Sequence, residues 1–195
     1  MRFLKYLAWS ALALAAALLV VGVFLPTSAH VERSIRTTAS PDTVYGIVNG
    51  FRRFNEWSPW AGLGPQARYT FSGPATGVGA RMEWSSDKPE VGSGSQEITA
   101  VEPGRSVTMR LDFAGQSAAT STMVIEPMDG GSLVRWSFDT SYEGNLAMRY
   151  LGLLFDRMIG ADYEKGLSRL RSIAEGAVAG QAPAAQVAPV SPGAQ

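Results

Sequence analysis

The chain has 195 residues, with seventeen basic and seventeen acidic side chains, one histidine and no cysteine. This length is typical of one domain with a short appendage at either end. The lack of cysteine excludes disulfide scaffolds, thiolate metal sites and cysteine nucleophiles, and the balanced charge argues against a nucleic-acid partner. The single His30 leaves little scope for a histidine-based zinc site, so no metal or cofactor is expected.

An apolar run of nineteen residues, 7–25, lies close to the N-terminus. A helix rises about 1.5 Å per residue, so this run can cross a hydrocarbon core of about 30 Å. Arg2 and Lys5 precede the run, which predicts a cytoplasmic N-terminus and an extracytoplasmic domain. Residues 1–29 are therefore predicted to be a single-pass membrane anchor. Residues 27–29 also fit a signal-peptide cleavage site, which leaves a secreted domain as the alternative.

The first elements after this segment are predicted to be a strand and a short helix. Residues 31–38 alternate in polarity, with Val31 and Ile35 on one face. Ser40 and Pro41 then fit the N-cap and the first position of a helix.

Six more strands are predicted between residues 68 and 139. They are separated by turn residues at intervals of about ten residues, which is typical of an antiparallel meander. Their alternation predicts one apolar face. Its members are Met82, Trp84, Ile98, Met109, Leu111, Phe113, Met123, Trp136 and Phe138.

A long helix is predicted between residues 145 and 175, because apolar residues recur there near the helical period. Leu154 and Met158 are two of these apolar positions. Gly152, Gly160 and Gly166 each cost about 1 kcal/mol relative to alanine in an exposed helix. Their presence indicates close packing against the sheet, or a kink near Gly160.

The last twenty residues, 176–195, contain no charged or aromatic side chain and three prolines. Such a tract cannot bury enough apolar surface to offset its ordering entropy, and it is predicted to be a disordered tail. The folded domain is therefore expected to span residues 30–175.

Several spaced motifs resemble one known family. The opening strand is followed by Ser40 and Pro41, residues 54–60 include a W-S-P-W loop, and residues 77–84 place G-x-G-A before a tryptophan. Residues 150–156 with 164–167 resemble the terminal helix of the same family. Together they resemble the START-like (SRPBCC) superfamily, also described as the polyketide cyclase/dehydrase and lipid-transport family.

The resemblance implies an α+β helix-grip fold of the START/Bet v 1-like type. In it, a curved antiparallel sheet of about seven strands surrounds a long C-terminal helix, here preceded by the N-terminal transmembrane helix. The gap between sheet and helix would form a cavity for a hydrophobic small molecule or lipid. The resemblance implies that the apolar face of the strands lines this cavity together with Leu154 and Met158 of the helix. The alternative is that these side chains fill the core themselves. Trp57 and Trp60 of the W-S-P-W loop are predicted to plug one end of the sheet or to wall the cavity mouth.

Chemistry in the cavity requires inward titratable groups, and strand alternation turns Glu83, Glu97, Asp112 and Asp139 outward. Gln96 is the best inward polar candidate. These patterns favour a non-catalytic, membrane-tethered domain that binds a hydrophobic molecule. One alternative is a polyketide cyclase/dehydratase-like enzyme. Another is a cell-envelope interaction protein with a closed core and a charged outer docking face.

Overall fold

The computed structural model describes residues 2–61, 66–88, 91–113, 118–142 and 144–181. Its first element is helix α1 (Arg2–Phe24), whose side chains are exposed along nearly the whole helix. By length and composition, α1 could cross a membrane, and a signal sequence would have the same properties.

The centre of the fold is a seven-stranded antiparallel sheet, as predicted. Its spatial order is β1-β7-β6-β5-β4-β3-β2, so the first strand pairs with the last and the other strands form a meander. The strands are β1 (Ser28–Thr37), β2 (Arg68–Ser72), β3 (Arg81–Ser85), β4 (Ser93–Glu102), β5 (Ser106–Phe113), β6 (Ala119–Met128) and β7 (Gly131–Ser141). Gly130 adopts a φ of 78° in the turn between β6 and β7, a conformation that favours glycine.

Two short helices follow β1. Helix α2 (Pro41–Val48) begins at Ser40, whose hydroxyl oxygen accepts a hydrogen bond from the Thr43 amide at 3.3 Å. This is the predicted N-cap, and Pro41 occupies the first turn as expected. Helix α3 (Phe54–Trp57) is a single turn.

The predicted C-terminal helix is divided into α4 (Leu146–Gly152) and α5 (Phe155–Gln181). The break lies at residues 153–154, and α5 continues through Gly160 without the kink considered above. Helix α5 also passes the predicted domain end at Glu175 and includes residues 176–181, which were expected to be disordered. The rest of the predicted tail, 182–195, lies outside the described residues.

Two glycines of α5, Gly160 and Gly166, face bulky side chains of the sheet. A Cβ atom at Gly160 would lie 2.1 Å from Nη2 of Arg33, and one at Gly166 would lie 2.7 Å from the Trp136 ring. Both glycines therefore allow the helix to pack closely on the sheet, as the sequence predicted; at Gly166 the neighbour is a ring, and at Gly160 it is the end of the Arg33 side chain.

The outer face of the sheet carries ion pairs between neighbouring side chains. The pairs are Arg81 with Glu83 (3.0 Å) and Glu97 (3.3 Å), Arg110 with Asp112 (3.1 Å), and Arg135 with Glu126 (3.0 Å). His30 and Asp139 lie opposite each other on β1 and β7, with Nδ1 and Oδ1 2.6 Å apart. The carboxylates that alternation turned outward are thus on the outer face.

Candidate functional site

Aromatic rings fill the part of the space between the sheet and α5 that lies over Trp136. The Trp136 and Tyr163 rings stack with centroids 3.7 Å apart and planes at 9°. Trp57 meets Trp136 edge to face at 5.3 Å, and Trp60 does so at 6.1 Å. Trp57 is 1% exposed, whereas Trp60 is half-buried. Both tryptophans of the W-S-P-W loop therefore pack on Trp136, near the middle of β7.

Most polar atoms within this aromatic cluster are paired, except the buried Nε1 of Trp57, which has no partner among the described residues. The Trp136 Nε1–H donates to Ser121 Oγ at 2.7 Å, and Ser121 Oγ lies 3.3 Å from the Tyr163 hydroxyl. The Trp60 Nε1–H donates to Asp162 Oδ2 at 3.2 Å. Burial raises the pKa of Tyr163 well above its ordinary value, so the phenol stays neutral at physiological pH.

The inner face of the central strands contains a polar side chain without a partner. Gln96 is 5% exposed and lies between Met82 and Leu111 in the register of β3, β4 and β5. Its Nε2 atom is buried and has no hydrogen-bond partner among the described residues. A buried donor in this state costs about 1–3 kcal/mol, so it needs a structural or functional reason.

Beyond Gln96 the sheet ends in two half-buried aromatic residues. Trp84 and Phe113 meet edge to face at 5.9 Å, and the indole N–H of Trp84 donates to the Val91 carbonyl at 3.2 Å. Gly94 lies beneath the Trp84 ring, since a Cβ atom there would be 2.5 Å from a ring carbon. Trp84 and Phe113 are thus less enclosed than Trp57 and Trp136.

The structure brings most of the predicted cavity residues to the inner face. The buried ones are Trp57, Met82, Gln96, Ile98, Met109, Met123, Trp136 and Phe138, and the half-buried ones are Trp60, Trp84, Leu111 and Phe113. Whether these residues bind a ligand stays a prediction.

The prediction for Leu154 and Met158 is wrong, because they are 51% and 62% exposed. The break at residues 153–154 changes the phase of the apolar repeat. As a result α5 turns Tyr163, Leu167 and Leu170 towards the sheet.

Sequence reasoning also missed Arg33, which lies on the inner side of β1 opposite Trp136. Its Nη1 donates to Asp156 Oδ1 at 2.9 Å and its Nε to Glu164 Oε1 at 2.9 Å, which fastens β1 to α5. The hydrogen bond from Arg33 holds the pKa of Asp156 below its ordinary value. Arg33 shares the alternation of Val31 and Ile35, so strand parity contained the signal.

Ser121 and Tyr163 were missed as well. Ser121 alternates in phase with Ala119 and Met123, and Tyr163 lies four residues before Leu167. Both positions could have been identified by extending the apolar pattern through polar residues.

A separate shallow pocket lies where β2 ends and β3 begins, at the other end of these strands from Trp84. It has an empty volume of about 260 Å³ that is open to solvent, and Phe51, Arg52, Phe71 and Arg81 are among its lining residues. The Arg52 guanidinium lies 5.9 Å from the centre of the Phe71 ring. Among the described residues, no group of three histidine or carboxylate side chains is arranged to hold a metal ion.

A curved antiparallel sheet around a long C-terminal helix defines the helix-grip class of ligand-binding domains. Residues 28–175 match the family model described as polyketide cyclase / dehydrase and lipid transport. The chain therefore belongs to this family, part of the SRPBCC superfamily, whose members in general bind hydrophobic ligands.

Solved structures with the same fold are distant in sequence. The di-domain aromatase/cyclase StfQ of the steffimycin pathway has a TM-score of 0.59 and 12% identity, over 78% of this chain and 52% of StfQ. A Thalictrum flavum norcoclaurine synthase variant has a TM-score of 0.58 and 10% identity, over 77% and 96%. A Staphylococcus aureus protein of unknown function has 0.57 and 12%, over 78% and 98%.

The chain thus spans about half the length of StfQ. No curated protein sequence matches the chain.

Proposed function

We propose that this protein is a membrane-tethered START-like domain that binds a hydrophobic small molecule or lipid between the sheet and α5, without catalysing a reaction. The observation that carries this proposal is the buried Gln96 Nε2 atom, which lies between Met82 and Leu111 and has no hydrogen-bond partner among the described residues. A ligand with an apolar body and one hydrogen-bond acceptor would satisfy this donor.

The neighbours of Gln96 suit such a ligand. Met82 and Leu111 flank it in register, and Trp84 and Phe113 lie at the half-buried edge beyond it. Methionine adapts to ligands of irregular shape, and aromatic rings offer broad apolar surfaces. The interior around Trp57 and Trp136 is filled by aromatic rings, so the ligand would lie on the side of Trp84.

Retention of α1 as an anchor is supported by the residues that join it to the domain. The Tyr142 amide donates to the Thr27 carbonyl at 2.9 Å, and the Tyr142 hydroxyl donates to the Ser28 carbonyl at 2.9 Å. Cleavage after Ala29 would remove both acceptors and the first two residues of β1. The N-terminal Arg2 and Lys5 support a cytoplasmic N-terminus with the domain on the other side.

Native mass spectrometry of the full chain extracted in mild detergent tests this function. The intact mass reports whether residues 1–29 are retained, and additional mass that is released into organic solvent reports a bound molecule. Gln96→Met preserves the size of the side chain and removes the donor, while Gln66→Met makes the same change at an exposed position.

One neutral hydrogen bond contributes about 0.5–1.5 kcal/mol, so Gln96→Met should reduce affinity for the retained molecule about two- to tenfold. Stripped of ligand, the Gln96→Met protein should be at least as stable as the wild type, because an unsatisfied donor is gone. Equal ligand retention in both variants would refute the role of Gln96. Absence of any released molecule from the wild type would refute the binding function.

A second candidate is a cyclase-type enzyme, which the inward polar chain of Trp136, Ser121 and Tyr163 favours. The raised pKa of Tyr163 suits a neutral hydrogen-bond donor and not a general base at neutral pH. Turnover of a bound molecule that is lost in Tyr163→Phe with binding retained would support this candidate. The third candidate, an envelope partner that docks on the outer ion-paired face, predicts copurifying protein and no bound small molecule.

A further inference from the structure

The apolar surface around the α4–α5 junction has no protein covering it among the described residues. Phe24 at the end of α1 is 84% exposed. In the junction itself the exposed apolar side chains are Leu151 (51%), Leu153 (58%), Leu154 (51%) and Met158 (62%). Scattered exposed apolar residues are common, but a contiguous cluster marks a surface that contacts something apolar.

This surface is continuous with the anchor helix. Leu146 and Tyr150 of α4 pack against Gly22, where a Cβ atom would lie 2.8 Å from the leucine and 3.0 Å from the tyrosine. Arg149 Nη1 donates to the carbonyl oxygens of Gly22 at 3.3 Å and Val23 at 2.8 Å. These carbonyls lie in the last turn of α1, where helical N–H donors run out, and the Gly22 carbonyl also accepts a hydrogen bond from the Leu25 amide at 3.3 Å.

The depth of this contact can be read from α1. The Tyr150 hydroxyl donates to the Leu18 carbonyl, which lies six residues before Phe24. At about 1.5 Å per residue this is about 9 Å along the helix axis. A helix that reaches this far beside a membrane span lies at the level of the interface, where tyrosine and arginine are common.

We propose that α4 and the first turn of α5 lie in the bilayer interface beside α1, with Leu151, Leu153, Leu154 and Met158 in contact with lipid. This inference rests on the proposed membrane tether. It also orients the domain. The first residues of β1 and the last residues of β7 lie at the same ends of the strands as Trp84 and Phe113. The half-buried edge of the inner face would then open towards the membrane, which favours a lipid as the ligand.

Fluorescent labelling of the full chain in vesicles tests the placement, and the absence of native cysteine allows single-site labelling. Leu154→Cys and Met158→Cys carry an environment-sensitive NBD label at the proposed surface. Ser168→Cys is the matched control, because Ser168 is exposed on the same helix and lies about 15 Å from Met158 along the helix axis. Ala13→Cys labels the middle of α1 and reports the membrane tether independently.

In phosphatidylcholine–phosphatidylglycerol vesicles, labels at residues 154 and 158 should shift to the blue and be quenched by lipids carrying a shallow nitroxide. The label at residue 168 should be quenched by aqueous iodide instead. The interfacial placement would be overturned, with the tether intact, if lipid quenches the label at residue 13 while aqueous iodide quenches the labels at residues 154 and 158 as it does the label at residue 168. No lipid quenching at residue 13 would overturn both.

Protection of residues 154 and 158 that disappears when the protein is diluted into excess lipid would assign the surface to a second copy of the chain. Protection that persists, with lipid quenching, would assign it to the bilayer.

Discussion

Replacing Gly166 with alanine tests how tightly α5 packs on the sheet. In an exposed helix, glycine-to-alanine substitution stabilises by about 1 kcal/mol. At this position the new Cβ would lie 2.7 Å from the Trp136 ring and 3.1 Å from Pro59 Cδ. Gly176 of the same helix is the matched control, since nothing lies within 4 Å of a Cβ atom there.

The Trp136 ring has little freedom to retreat. It is stacked on Tyr163 at 3.7 Å, contacts Trp57 edge to face, and is hydrogen-bonded to Ser121. Overpacking of a core in this state costs about 1–3 kcal/mol. After the helix-propensity gain, we expect Gly166→Ala to be neutral or destabilising by up to about 2 kcal/mol. Gly176→Ala should stabilise by about 0.5–1 kcal/mol.

Thermal unfolding of the detergent-solubilised full chain, followed by tryptophan fluorescence, measures the difference. A gap of about 2 kcal/mol between the two variants corresponds to about 4–8 °C in a domain of this size. Equal stabilisation by both substitutions would refute the packing argument. It would mean that the aromatic end of the interior has space for an added methyl group.

Three further predictions concern ionisation and capping. The pKa of Tyr163 is raised in the folded protein, so its contribution to stability is fully present below about pH 10 and is lost as the pH rises towards the folded pKa. In denaturation curves recorded above pH 10, Tyr163→Phe should therefore lose less stability than the wild type. Arg33 lowers the pKa of Asp156, so the pair stabilises the folded protein when the pH is above the ordinary carboxyl pKa, and this stabilisation is lost as the pH falls through the lowered value. In Arg33→Met, NMR titration should show that Asp156 takes up its proton at a higher pH than in the wild type. Asn145 accepts a hydrogen bond from the Met148 amide at 3.1 Å, so Asn145→Ala should cost about 1 kcal/mol in urea unfolding and Asn145→Ser should recover most of it.

The prediction of the helix-grip fold succeeded because its signals are local. Strand alternation, the Ser40–Pro41 helix start and the glycine-containing turns each depend on a few neighbouring residues. The same alternation put Gln96 on the inner face and the acidic residues of β3 to β5 on the outer one. A period-two pattern determines which face a residue occupies, whatever its partner strand.

The prediction failed where one regular repeat was extended across a break. Leu146 to Ile173 fits a single helical period, yet residues 153–154 separate two helices and turn Leu154 and Met158 outward. The sequence alone does not reveal this, because α4 is positioned by contacts with α1, more than 120 residues earlier in the chain.

By itself, the sequence determined the apolar N-terminal segment, the strand order along the chain and the family, since these depend on composition and short-range periodicity. Only the tertiary structure decided which part of the interior is filled by aromatic rings. Trp57, Trp136 and Tyr163 come from three separate elements and meet only because β7 lies beneath α5. The unpartnered amide of Gln96 likewise became visible only after folding, because burial and the absence of a nearby acceptor are properties of the packed chain.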